Sequence, residues 1–439
     1  MPRIPEIPGN VVPRHSEQEI WLKRYVASLC GLDHDRFPGS QPVSFASKHI
    51  ERLERQDFWV CEKSDGIRVL FFLQTDPPSG TQVVYLIDRH NSYRELPGFW
   101  FPSHEKPKEP LLDTIIDGEL VIDVDPRNGQ ETLRYLAFDC LVVNGQSIMD
   151  KTLDKRYGRL RDWFYRPHAR MIKELPHMAA SQPFEIKVKD ISFSYGIEEV
   201  FQVVIPALHH GNDGLIYTCV ETLYTPGTDE NILKWKPPSE NSIDFKLVLR
   251  FPPSKRNPSQ PDFHPKPFFG LHIYCGDERG KPKYEPYDEL HVSDAEWEKM
   301  KLSGEQFDDR IVEVHWDPSL SHWRLMRFRD DKPNGNFKGV VENIISSIAD
   351  GVEKDALLAR SSSIRTAWKA RLANKPHTAP TAQGSSQAPA PLAPPGHPPP
   401  NGGRVARTLP PNVPLRYGPI AVSRWSKASG PTTFAGMFR

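Results

Sequence analysis

The chain has 439 residues, 38% of them hydrophobic, more than one ordinary core covers, so two folded domains plus irregular sequence are expected. Its 56 basic and 56 acidic residues cancel, yet the 11 Lys and Arg beyond Asp355 meet no Asp or Glu there, so an acidic body carries a cationic tail. No apolar run has the roughly 18 to 20 residues of a membrane span or the pattern of a signal peptide, and Cys30, Cys61, Cys140, Cys219 and Cys275 form no C-x-x-C pair, which argues against a zinc site or disulfide framework and predicts a soluble, intracellular protein with reduced thiols.

In chain order, EQEIWLKRYVASLCGL has helical apolar spacing at Ile20, Tyr25, Leu29 and Leu32. The runs IRVLFFLQT, QVVYLIDRH, TIIDGELVIDV and LRYLAFDCLVV are short, β-branched or aromatic, and bounded by turn residues, as strands are. From Asp154 to Leu175 the spacing is helical again, with a break or kink expected near Pro167. GLIYTCV and DFKLVLRF return to strand, separated by a Pro-rich break, KPPSENS, at residues 236 to 242. Strands without regularly interposed helices predict an α+β fold with antiparallel sheets.

The region ending near Phe328 is of a size for a five-stranded barrel, and GVVENIISSIADGVEKDALLAR reads as a helix packing back on the body. The resulting division is 1–238, 239–337, 338–372 and a tail, 373–439, whose Pro, Ala, Ser and Gly cannot bury enough apolar surface to offset chain entropy, so it is expected to be disordered.

The sharpest chemical signal is Glu62-Lys63-Ser64-Asp65-Gly66-Ile67-Arg68, where a lysine at a strand end precedes a glycine turn and a second cation five residues on. An amine nucleophile beside a phosphate would have this form; a charged hairpin turn is the competing reading. Lysine with an ordinary pKa near 10.4 is a poor nucleophile, and neighbouring cations are needed to lower it. Leu233-Lys234-Trp235-Lys236 offers two cations on one strand face, although alone it also fits a solvated edge strand. Asp117-Gly118-Glu119-Leu120 and Asp213-Gly214-Leu215-Ile216 are, singly, common turn-then-strand sequences.

Taken in order, KSDGIR, DGELV, FDCL, DGLIY and LKWK resemble the covalent nucleotidyltransferase superfamily of mRNA capping enzymes and polynucleotide ligases. PGSQPVSF, LIDRHNSY, LKWKPP and HWRLMRFRDDK point to the RNA guanylyltransferase branch, fungal type, over roughly residues 4 to 345. The resemblance implies a nucleotidyltransferase domain followed by an OB-fold domain. It implies that Lys63 attacks GTP, carries GMP as a phosphoramidate and passes it to a 5′-diphosphate RNA end.

By the same likeness, Lys234 and Lys236 bind the α-phosphate, Arg68 and Arg89 contact ribose or phosphate, and Phe138 stacks on guanine opposite Ile216. Lys189 is the candidate guanine contact, with Lys187 its rival. Glu119 holds a ribose hydroxyl or a metal, Asp213 and Asp244 are metal or water contacts, and Arg327, Arg329, Asp331 and Lys332 close the second domain over the triphosphate. Carboxylates near a triphosphate suit Mg²⁺ or Mn²⁺. An RNA 5′-triphosphatase subunit and the phosphorylated C-terminal domain of RNA polymerase II are the implied partners, the nucleus the implied location. An ATP-dependent ligase and an inactive binding scaffold are the alternatives.

Overall fold

The computed structural model describes residues 4–96, 98–257 and 260–374, so most of the expected disordered tail lies outside the described residues. The chain up to Pro237 and Val352–Lys369 form one compact unit; Pro238–Gly351 form a second.

Among the described residues, thirteen strands build the first unit: β1 (Asn10–Val11), β2 (Ser40–Ser44), β3 (Phe58–Ser64), β4 (Ile67–Thr75), β5 (Gln82–Asp88), β6 (Tyr93–Leu96), β7 (Thr114–Val124), β8 (Glu131–Val143), β9 (Gln146–Ser147), β10 (Glu185–Val188), β11 (Ser192–Phe193), β12 (Asn212–Cys219) and β13 (Gly227–Trp235). They make two sheets, one ordered β1-β6-β5-β4-β7-β8-β10 with β9 on β8, the other β11-β3-β12-β13-β2. Pairing is antiparallel except for β10 on β8 and β13 on β2.

Sheet burial follows the sequence pattern. In β4 the run Val69 to Leu73 is wholly buried because both faces of the first sheet are covered, which is why VLFFL does not alternate. On one side Phe71, Leu73 and Leu86 meet Phe164 and Phe184; on the other Leu70, Phe72 and Ile87 meet Leu22, Val26 and Cys30 of the helix Glu17–Cys30. That helix starts where Ser16 accepts a hydrogen bond from the Glu19 amide, and its buried stripe is turned from the expected one: Tyr25, Leu29 and Leu32 pack at the margin and Ile20 faces solvent.

The second sheet does alternate. Phe58, Val60, Leu215, Tyr217, Leu233 and Trp235 point into a core shared with Leu53 and Ile197. The opposite face, carrying Trp59, Cys61, Lys63, Ile216, Thr218, Ile232 and Lys234, lines a cavity.

Near Pro167 the helix continues through an irregularity. Leu153–Arg159 is α-helical, Leu160–Tyr165 is a π-turn, and Arg166–Glu174 resumes as α with Pro167 in its first turn, where a missing N–H costs least.

In the second unit β14 (Ser242–Arg250), β15 (Phe268–Glu278), β16 (Lys281–Glu289), β17 (Ile311–Asp317) and β18 (His322–Phe328) are ordered β16-β15-β14-β17-β18. A parallel bridge from Leu290 to Trp323 brings the two ends of that order together into a five-stranded barrel. The segment expected as one helix is two: Lys338–Ala349 packs Val341 and Ile345 into the barrel core, and Lys354–Asn374 sets Leu357 and Ile364 into the core of the first unit. Gly351 lies between them, so close to Pro238 that an added Cβ would stand 2.3 Å from its ring.

One buried ion pair ties this framework together. Arg156, 1% exposed, donates to both oxygens of Asp139 at 2.8 and 2.9 Å and to the carbonyls of Lys151 and Thr222. Removing one partner of such a pair leaves an uncompensated buried charge. Arg156→Leu should therefore cost about 3 to 5 kcal/mol in urea unfolding, and the double variant Arg156→Leu, Asp139→Leu should recover a large part of it.

Candidate active site

Lys63 is the last but one residue of β3, in the second sheet, and Arg68 the second residue of β4, in the first. KSDGIR is thus not a hairpin turn: at Asp65–Gly66 the chain leaves one sheet and enters the other. Gly66 passes so near β7 that an added Cβ would lie 2.2 Å from the Leu120 carbonyl oxygen. The crossing sets the two cations on opposite walls of a cavity of about 420 Å³, within the size of small-molecule sites.

Two β-bulges set side chains at it and beside it. Asp117 pairs with Asp139 and Gly118 with Ala137, so Phe138 is the extra residue on β8 and projects into the cavity, facing Ile216 of the other sheet across the space. In β12, Asn212 pairs with Ser64 and Leu215 with Glu62, leaving Asp213 and Gly214 together opposite Lys63. The bulge is braced by the Asn212 side-chain amide, which donates to the carbonyls of Lys63 and Gly214 at 3.0 and 2.8 Å. Gly214 has φ +151°, and an added Cβ would meet the Trp235 carbonyl oxygen at 2.0 Å.

The outcome at the centre is a cluster of charges. Lys63 Nζ donates to Asp213 Oδ1 at 2.5 Å, and Lys236 Nζ stands 4.0 Å from Asp213 Oδ2. Lys234 lies on the cavity face, where burial and the charge of Lys63 lower its pKa. Lys189 is 5% exposed; its Nζ donates to the Glu62 carbonyl at 3.0 Å and lies 3.3 Å from Glu62 Oε1 and 3.9 Å from Glu119 Oε2. Burial pushes the Glu119 carboxyl above its usual range, against the pull of Lys189 and Lys63. Burial opposes the charge on Glu62 as well, yet Lys189 leaves its carboxyl below the usual range. Lys187, exposed on β10, does not line the cavity.

Arg68 is already engaged: Nε donates to Asp117 Oδ1 at 2.9 Å, Nη2 to Oδ2 at 2.5 Å and Nη1 to the Ser40 carbonyl, while the guanidinium faces the Phe138 ring at 5.7 Å. Asp117 is fully buried and also accepts from Tyr224 Oη at 2.5 Å. Burial works against charge on Arg68, but Asp117 more than restores it, and its pKa rises. Behind Lys63, His210 Nδ1 lies 2.6 Å from Asp123 Oδ1 and its Nε2 3.9 Å from Glu62 Oε1. Sequence reasoning assigned no role to Glu62, Asp117, Asp139, Arg156, His210 or Tyr224. Glu62, Asp117 and Asp139 stood inside the quoted motifs; Tyr224 and His210 carried no signal of their own.

Arg89, exposed at the β5–β6 turn, also lines the cavity. Asp244, Arg327, Arg329, Asp331 and Lys332 lie in the second unit, where they form a cluster of their own. Arg329 Nη1 is 3.3 Å from both Asp244 oxygens, Lys332 donates to Asp244, Arg327 pairs with Glu313 at 2.6 Å and Arg329 with Asp331 at 2.8 Å.

The sequence matches the family models of the mRNA capping enzyme catalytic domain over residues 4–238 and the mRNA capping enzyme C-terminal domain over residues 240–358. It is 41% identical over 379 residues to the mRNA-capping enzyme subunit alpha of Neurospora crassa, covering 83% of this chain and 93% of the relative. To the protein of that name from Schizosaccharomyces pombe it is 39% identical over 365 residues, 82% of this chain and 88% of the other. Among solved structures, the ATP-dependent DNA ligase of bacteriophage T7 aligns with 66% of this chain and 98% of its own at 16% identity and a TM-score of 0.31. The chain belongs to the mRNA capping enzyme family, as a nucleotidyltransferase that carries both the catalytic and the C-terminal domain of that family.

Proposed function

We propose that Lys63 is the nucleophile of an mRNA guanylyltransferase. It attacks the α-phosphorus of GTP, a P–N bond forms as the bond to pyrophosphate breaks, and the terminal phosphate of a 5′-diphosphate RNA then displaces the lysine to give GpppN. The observation that carries this reading is the placing of Lys63 on the wall of a cavity that Lys234 also lines, with Asp213 bonded to its amine, Lys236 beside that carboxylate, and an aromatic ring and an aliphatic side chain on opposing walls.

Each neighbour has a task in the two steps. Phe138 and Ile216 form the slot for a flat base, and Lys189, held by Glu62, offers its ammonium at the slot's edge. Lys234 and Lys236 stabilise charge on the α-phosphate as it develops in the transition state. Asp213 holds the amine by a 2.5 Å hydrogen bond and is placed to take its proton. Arg68, fixed by Asp117 and Tyr224, presents a preset guanidinium rather than a mobile one. Phosphate contacts for Arg327, Arg329 and Lys332 are part of the same proposal, with Asp244 holding Arg329 and Lys332 and Asp331 holding Arg329, as is an oligonucleotide-binding role for the barrel.

Asp213 and Glu119 suit a hard divalent ion such as Mg²⁺ or Mn²⁺. Among the described residues no group of three or more His, Cys, Asp and Glu is spaced to cage a metal, which fits an ion taking its other ligands from water and phosphate. Such an ion would offset charge on the triphosphate.

The relatives' designation as alpha subunits supports a separate triphosphatase partner. Docking to the phosphorylated polymerase tail and a nuclear site of action follow from capping as a step in mRNA synthesis.

With α-labelled GTP and Mg²⁺, the purified chain should carry label through denaturing electrophoresis, and the adduct should survive alkali and hydrolyse in acid. Lys63→Ala should lose the label altogether. Label retained in that variant, or equal labelling from ATP, would overturn the assignment. A second measurement concerns Glu119. Its raised pKa means the folded state binds the proton more tightly than the unfolded one, so stability falls as pH rises through and above the ordinary carboxylate range. In the absence of nucleotide, Glu119→Gln should melt higher than wild type at neutral pH, and the gain should shrink as pH falls through that range.

A further inference from the structure

A second cavity, of about 400 Å³, adjoins the one that holds Lys63, and the two share Phe37, Gln41 and Arg89. Its charged lining is Lys23, Arg36 and Arg89 against one carboxylate, Asp35, with His90 and Asn91 beside them. Two segments form most of its charged rim. Asp35 to Phe37 come from the loop after the first helix; Arg89 to Asn91 come from the β5–β6 turn, where Asp88 Oδ1 accepts from the amides of His90 and Ser92 at 2.8 and 3.0 Å. The segments are clasped by Asn91 Nδ2, which donates to the Asp35 carbonyl at 2.7 Å, and Asn91 adopts φ 58° to do so. The cavity thus has a fixed frame.

The guanidinium groups are not used by that frame. Lys23 pairs with Glu19 at 2.8 Å, but the side chains of Arg36 and Arg89 make no hydrogen bond or ion pair among the described residues, and both are exposed. This contrasts with Arg68, whose guanidinium is fully engaged with Asp117 and Ser40. Unengaged arginines beside a polar cavity suit ligands with successive phosphates, which they bind through paired N–H donors. A macromolecular acceptor must place its terminal phosphate at Lys63 and lead the rest of its backbone out of that cavity. Arg89, common to both cavities, marks such an exit, and Arg36 continues the positive lining beyond it.

We propose that this second cavity binds the backbone of the acceptor RNA next to its 5′ end, with Arg36 and His90 as backbone contacts. The inference rests on the guanylyltransferase reading and adds the path of the acceptor. Contacts of this kind are made to phosphate and sugar and carry no base sequence.

The test uses the full chain with Arg36→Ala, His90→Ala and the double variant. Lysyl-GMP formation from GTP should match wild type, as should transfer from isolated adduct to ADP as a minimal acceptor. Transfer to a 5′-diphosphate RNA of 20 nucleotides should show KM raised by about three- to fivefold in Arg36→Ala, as for loss of one exposed charge contact, with kcat retained. The slope of log KM for RNA against log salt should fall by about 0.7 if one phosphate contact is lost. Impaired adduct formation in Arg36→Ala would overturn the proposal by giving the cavity to the triphosphate of GTP. Equal losses with RNA and ADP, or no change with RNA, would overturn it too. Failure of the wild-type chain to label with GTP is a separate result and would strike the guanylyltransferase reading itself.

Discussion

Gly66 runs against the backbone of β7 with no room for a side chain, and that close approach lets the chain pass from one sheet to the other within two residues. Every other feature of the cavity depends on this passage. Because Lys63 ends a strand of the second sheet and Arg68 begins a strand of the first, residues five apart in sequence stand on facing walls. A hairpin would have put them side by side on one sheet edge, with no enclosed space between them.

The walls are then shaped by departures from regular pairing. A strict antiparallel register would turn Phe138 or its neighbours away from the cavity, and one inserted residue in β8 corrects that. The insertion at Asp213–Gly214 brings a carboxylate to the Lys63 amine. Beneath these residues the polar groups are paired: Arg68 with Asp117 and Tyr224, Arg156 with Asp139, Lys189 with Glu62. Cations held this way are pre-oriented at little cost when a ligand arrives, because their partners already offset the loss of water.

The strands around KSDGIR were legible residue by residue, since IRVLFFLQT is β4 from end to end and TIIDGELVIDV is β7. Motif order located Lys63, Glu119, Phe138, Ile216 and Lys234, and all of them line one cavity. Sheet membership was not legible, because β-propensity says nothing of which partner a strand takes, and so the turn at Asp65–Gly66 could still be read as a hairpin. Nor were the bulges, which depend on register across distant segments. Tyr224 lies in an ordinary loop sequence and joins the site through the buried carboxylate of Asp117, the Arg68 guanidinium and the Ser40 amide. The helix at Glu17–Cys30 was expected, but its stripe was misplaced because the packing surface runs through Leu22, Val26 and Cys30, and local spacing at Ile20 offered an equally apolar alternative.

The last described helix places Leu357 and Ile364 among Phe58, Val60, Leu215 and Leu233, so the core under the second sheet draws on sequence from both ends of the described chain. During synthesis, the β3–β12–β13 layer leaves the ribosome long before the residues that cover it. It must wait, with apolar side chains bare, while the whole barrel is translated. Nascent chains of this protein therefore present their stickiest intermediate at mid-length, and a shortened version stopping at the barrel would keep that exposed patch permanently, making it a client for chaperones rather than an independent domain.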